Sequence, residues 1–149
     1  MKKIFIYYSL TNNGDIVANY LKDKKIELRK VVSKRKLPSN RILQIITGGF
    51  LAGIHYKDEL LSFNPNISEY DEVIIGSPIW NSNLSCPINS VLDKIDLHNK
   101  KIIFILYSAS GNALKATAYL KNKYPSAQII SLKEPRKNQV DMKEALNKL

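Results

Sequence analysis

The stretch Asp71-Glu72-Val73-Ile74-Ile75-Gly76-Ser77-Pro78 decides the fold. An acidic pair opens it, its centre is continuously apolar and β-branched, and a Gly-Ser-Pro cluster closes it. That is the pattern of a short strand buried on both faces. Such a strand belongs to a parallel sheet with helices above and below it. Working outward, Lys3-Ile4-Phe5-Ile6-Tyr7-Tyr8 and Lys101-Ile102-Ile103-Phe104-Ile105-Leu106-Tyr107 repeat the apolar run, and Gln128 to Leu132 supplies another. Residues 26–32 are more polar and rich in lysine and arginine, which suits an edge strand where charge discourages unwanted pairing.

Helical spacing fills the intervals. Ile16, Val17, Ala18, Tyr20 and Leu21 follow the turn-and-cap cluster Thr11-Asn12-Asn13-Gly14-Asp15. Ile42, Ile45, Ile46 and Leu51 favour a helix over residues 41–55, although Gly48-Gly49 weakens its propensity. Pro87 can start a helix through Ile88, Val91, Leu92 and Ile95. Residues 113–123 and 140–149 complete the set. The order βαβαβαβαβα predicts an α/β chain: a doubly wound, five-stranded parallel sheet with helices on both faces, in a single domain over residues 1–149.

Composition narrows the class. The chain has 149 residues, 44% hydrophobic and 24% charged, as in ordinary globular proteins. No run approaches the roughly 20 apolar residues of a membrane span, and the apolar run at the N-terminus is too short for a signal peptide. One cysteine excludes an internal disulfide, and with two histidines it argues against a zinc site. A reducing, cytoplasmic setting is expected, without membrane insertion. The net charge of +10 favours anionic partners, and eight of the basic residues lie between Lys22 and Lys36.

In a sheet of this kind ligands bind outside the carboxyl ends of the strands. Three strands end in loops of small polar residues: Ser9 to Asp15, Pro78 to Ser85 and Ser108 to Asn112. The first reads as a phosphate cradle, because a helix starting near Asn13 presents free amides and the positive end of its dipole. The Gly-rich motifs of nucleoside triphosphatases and of Rossmann dinucleotide sites are both absent.

These residues carry a resemblance. Ser9-Leu10-Thr11-Asn12-Asn13, Ile75-Gly76-Ser77-Pro78-Ile79-Trp80 and the Ser-Gly loop after the fourth strand resemble the flavodoxin family, above all its short bacterial flavodoxin-like proteins. The resemblance implies the strand order 2-1-3-4-5 and a non-covalent flavin mononucleotide (FMN). The phosphate would lie on Ser9, Leu10, Thr11, Asn12, Asn13 and Gly14. The flavin ring would lie between Pro78, Ile79, Trp80, Asn81, Ser82 and Asn83 on one side and Ser108, Ala109, Ser110, Gly111 and Asn112 on the other, where the indole of Trp80 suits a planar heterocycle. The chain departs from the family at Asn12, where a glycine is usual, and at Gly14, where a threonine is usual. Asp15 adds a negative charge beside the phosphate, so weaker phosphate binding is expected.

The resemblance implies an electron-transfer flavoprotein. The lack of an aromatic in Ser108 to Asn112 opens an alternative: a small FMN-dependent NAD(P)H or quinone-type reductase. The basic charge suggests a redox-partner protein with an acidic docking face. A flavin-less module binding an acidic partner or nucleic acid is a third reading, against which stands the absence of aromatics interleaved with the basic run. No catalytic side chain is singled out. Cys86 reads as a buried filler, His55 and His98 as surface or capping residues, and Asp71-Glu72 as a solvated start to its strand.

Overall fold

The computed structural model describes residues 1–149. In chain order the elements are β1 Lys3–Tyr7, α1 Asn13–Asp23, β2 Glu27–Lys30, α2 Arg41–Gly53, β3 Glu72–Trp80, β4 Asn83–Leu84, α3 Cys86–Lys94, β5 Lys101–Ser108, α4 Leu114–Lys123, β6 Gln128–Lys133 and α5 Gln139–Ala145. The sheet runs β2-β1-β3-β5-β6, all parallel, with β4 attached antiparallel to β3. The five longer strands therefore take the expected order, with the charged β2 at an edge.

Alternation along each strand divides the core into two layers. Ile4, Ile6, Val73, Ile75, Phe104 and Leu106 pack with Ile88, Val91 and Leu92 of α3 and Ala116 and Leu120 of α4. Phe5, Tyr7, Ile74, Ile103, Ile105 and Tyr107 pack on the other face with Val17, Ala18 and Leu21 of α1 and with Met142 of α5. Helices thus cover both faces, as a strand apolar on both sides requires. Helix α2 contributes to neither cluster.

Two expectations need correction. Gly76-Ser77-Pro78 does not end β3, which runs on to Trp80 and turns back into a sixth, two-residue strand, β4. The reversal is made by Asn81 (φ 49°) and Ser82 (φ 64°), and positive φ at both central residues is what a two-residue hairpin of the right twist demands. Glu72 is not solvated but fully buried. Its carboxylate lies 3.2 Å from the Lys3 ammonium and 2.6 Å from that of Lys101, one from each flanking strand. No helix is long and apolar enough to cross a membrane.

Candidate functional site

The carboxyl end of β1 leads into α1 through residues whose backbone is open. The N–H groups of Leu10, Thr11, Asn12 and Asn13 donate to nothing within the chain. Asn12 caps α1 in the left-handed region (φ 67°), which asparagine tolerates better than most residues. The Gly14 N–H donates to Ser9 Oγ at 3.1 Å, and Asn13 Nδ2 donates to Thr11 Oγ1 at 3.2 Å. Asn13 Oδ1 accepts the Arg136 N–H at 2.9 Å, which ties this loop to the connection between β6 and α5. The side chains of Ser9 and Asn13 therefore brace the loop, and its backbone amides are what it offers an anion.

The departures from the flavodoxin pattern have structural reasons. A Cβ on Gly14 would lie 2.5 Å from the hydroxyl oxygen of Tyr107, so there is no room for threonine. Tyr107 is buried and donates to the Tyr8 carbonyl, and burial pushes its pKa well above the ordinary tyrosine value. Asp15 does not stand beside the loop as a bare charge. Lys30 Nζ sits 2.6 Å from its Oδ1, and the Tyr7 hydroxyl donates to it at 3.3 Å. Partial burial would raise the Asp15 pKa, but the hydrogen bonds from Lys30, Ser9 and Tyr7 outweigh it and hold the carboxyl below its usual range.

The second loop is a rigid hairpin. Trp80 is opposite Asn83 and Ile79 opposite Leu84. Ser77 Oγ accepts the Ser85 N–H at 3.1 Å and donates to the Pro78 carbonyl at 2.8 Å. Asn83 Nδ2 donates to the Asn81 carbonyl at 2.7 Å. Ser82 is committed to α4, whose Lys115 N–H reaches its Oγ at 3.1 Å and whose Ala116 N–H reaches its carbonyl at 2.8 Å. The half-buried Trp80 ring meets Tyr8 edge-on, with centroids 5.8 Å apart.

The third loop closes on itself. Ser108 Oγ accepts the Gly111 N–H at 2.9 Å and donates to the Asn112 carbonyl at 3.2 Å, while Ser110 Oγ accepts the Asn112 N–H at 3.1 Å. Gly111 takes a positive φ of 77° against Lys133. Ala109 and Ser110 are exposed at its tip.

Cross-links gather the three loops at one end of the sheet: Tyr107 to Tyr8, Trp80 to Tyr8, and Ser82 to α4 just beyond the third loop. The three loops thus meet at the carboxyl ends of the strands, where the candidate crevice lies. A separate cavity of about 580 Å³ between Asp58, Phe63, Ser90 and Lys94 shares no residue with it. Sequence reasoning missed the parts played by Tyr107, Lys30 and Arg136, which reach the crevice from strands or loops distant in the chain. Cys86 is buried, and burial raises its thiol pKa, as befits an inert filler. No three His, Cys, Asp or Glu side chains gather as a metal site.

Residues 9–139, which span all three loops, match the family described as NADPH-dependent FMN reductase. The chain belongs to that family. It is a flavodoxin-like flavoprotein family, although the finer assignment to flavodoxins themselves is not what matches. No curated protein matches the chain. Among solved structures, a Bacteroides eggerthii protein described as a flavoprotein is 18% identical over 97% of each chain, with a TM-score of 0.72. A Lactobacillus acidophilus flavoprotein solved in complex with FMN is 20% identical over 94% of this chain and 96% of its own, with a TM-score of 0.67. At such identities these two structures speak for the shared fold.

Proposed function

We propose that this member of the FMN reductase family is an FMN-dependent reductase that takes electrons from a nicotinamide nucleotide and passes them to a small acceptor of the quinone type. The family match across residues 9–139 carries the reading. The donor set fits the cofactor: open amides from Leu10 to Asn13 suit a dianionic phosphate, and Lys30 neutralises the one carboxylate beside them. The FMN in the Lactobacillus acidophilus structure supports the same choice.

In this reading bound FMN supplies two-electron exchange between donor and acceptor. The chain's residues bind and orient it. Leu10 to Asn13 would hold the phosphate, with Ser9 and Tyr107 fixing the loop beneath. Trp80 and Asn81 would border one side of the ring, and Ala109 and Ser110 the other. Ser82 and Asn83 act by keeping the hairpin rigid. Because Ser108 to Asn112 carries no aromatic, that side offers a second substrate room, which favours a reductase over the electron-carrier expectation. The +10 charge supports an acidic protein as an additional donor or acceptor, held by contacts that added salt would weaken.

The test is a visible spectrum after incubation with FMN, followed by steady-state oxidation of NADPH or NADH with a quinone present. A perturbed flavin spectrum and turnover are expected. Flavin uptake without turnover, together with electron exchange with an acidic protein, would restore the carrier. A chain that takes up no flavin but retains single-stranded nucleic acid would be a polyanion-binding module.

A further inference from the structure

A fourth loop reaches the crevice. The turn from β6 into α5, residues 133–138, is fastened to two of the loops already described. The Glu134 N–H donates to the Ser108 carbonyl at 2.9 Å, at the start of the third loop. The Arg136 N–H donates to Asn13 Oδ1 at 2.9 Å, in the phosphate loop. Within the turn the Glu134 carbonyl accepts the N–H groups of Lys137 and Asn138 at 2.8 and 3.1 Å, and Asn138 Nδ2 donates to the Lys133 carbonyl at 2.8 Å. Pro135 is buried between the two fastenings. The turn is therefore a bracket of fixed shape, and its main chain sets where the Arg136 side chain begins.

Most cations of the loops at this end are already matched by acids. Lys30 is paired with Asp15, Lys34 with Glu59, Arg35 with Asp58 and Lys137 with Glu134. Arg136 is exposed, and its guanidinium has neither a carboxylate nor a hydrogen-bond acceptor. Lys36, Lys115 and Lys133 are free as well, but only Arg136 is bonded through its main chain to the loop with the open amides. That loop is short of full charge. Its amides carry partial charges, Gly14 offers no hydroxyl, and Lys30 is balanced by Asp15. A phosphate monoester bears nearly two negative charges at neutral pH. A guanidinium meets such an anion with two parallel N–H donors.

Resting on the FMN reading above, we propose that Arg136 is the counter-ion of the flavin phosphate. The β6–α5 turn brings it beside Leu10 to Asn13, and its charge makes the crevice select FMN over riboflavin, which has no phosphate. The bond to Asn13 uses the main-chain N–H, so a substitution at this position removes the charge and leaves the bracket fastened.

The test is fluorescence titration of FMN and of riboflavin with the full-length chain freed of flavin. The native chain should hold FMN more tightly than riboflavin, and added salt should weaken FMN alone. Arg136→Gln should weaken FMN about tenfold or more, the scale of a charge-assisted pair on a phosphate, and leave riboflavin unchanged. Arg136→Lys keeps the charge but loses the fork, and should recover part of that loss. From about pH 5 to 7 the phosphate gains its second charge, so FMN affinity should rise more for the native chain than for Arg136→Gln. Lys115→Gln removes a free cation next to Ser82 and should leave FMN affinity nearly unchanged. An Arg136→Gln chain that binds FMN as the native chain does, an equal loss for riboflavin, or an equal loss in Lys115→Gln would each overturn the assignment. Equal native affinity for the two flavins would also overturn it while leaving flavin binding intact. A chain that binds neither flavin would remove the FMN reading itself, and the assignment with it.

Discussion

The hydroxyl of Tyr107 stands where a side chain at Gly14 would begin, 2.5 Å from the position of a Cβ there. One buried ring therefore braces both ends of the phosphate loop, by contact at Gly14 and by a hydrogen bond to the Tyr8 carbonyl. Gly-to-Ala changes within helices ordinarily stabilise by about 0.5–1 kcal/mol. Overpacking costs about 1–3 kcal/mol and should win here. Gly14→Ala is expected to lower the midpoint of urea unfolding, and adding Tyr107→Phe should recover part of the loss. A Gly14→Ala chain more stable than the native one would show that the ring yields.

The pair Lys30–Asp15 sets the charge beside the open amides. Lys30→Met leaves the Asp15 carboxylate facing the phosphate and is expected to weaken FMN binding by up to about fivefold, the scale of a half-exposed pair. Asp15→Asn should not weaken it. Riboflavin, which lacks the phosphate, should bind both variants as it binds the native chain. Calorimetric titration with the two flavins decides the matter; an equal loss for riboflavin would mean that the pair shapes the crevice and does not tune its charge.

Ser82 carries two duties that pull in opposite directions. Its hydroxyl and carbonyl cap α4, yet its φ of 64° costs any residue with a Cβ. Ser82→Ala loses the hydroxyl cap and keeps the strain, a loss of about 1 kcal/mol. Ser82→Gly loses the cap but relieves the strain and should lie within about 0.5 kcal/mol of native. Thermal unfolding of the two variants gives the order, and a glycine variant less stable than the alanine variant would contradict the assignment of strain.

The strands were legible because a both-faces-buried strand needs a continuous apolar run, and Val73-Ile74-Ile75 supplies one that is short and β-branched throughout, which favours a strand over a buried helix. The hairpin after β3 was hidden because Asn81 and Ser82 supply its positive φ without the glycine that advertises such turns. Glu72 looked solvated because its two lysines arrive from strands distant in sequence. For α2, the spacing of Ile42, Ile45, Ile46 and Leu51 reveals a helix but not which of its faces is covered, and the glycines that lowered its helix propensity are its contact with the body. In the crevice the loops could be named from composition. The work of Ser9, Ser82 and Asn83 as braces, and of Tyr107 as the filler beneath Gly14, depends on contacts that only the folded chain brings together.

The tyrosines make alkaline pH the chain's weak side. Burial, then the nearby Asp15, pushes Tyr7 up to about 12, and burial, then Glu27, does the same for Tyr70. Tyr107 is likewise held well above the ordinary value, chiefly by burial. A raised value in the folded state means that folding favours the neutral phenol. Its contribution is complete below the ordinary value of 10.0 and is lost as the pH climbs through the folded values. Urea midpoints should therefore hold steady up to about pH 10 and fall from there to about pH 12, while the folded chain shows late tyrosinate absorbance. Tyr7→Phe keeps the ring and removes one titrating group, so its curve should fall less steeply. If all eight tyrosines of the folded chain ionised together near their ordinary value, the buried hydroxyl beneath the phosphate loop would be open to water, and the brace on Gly14 would go with it.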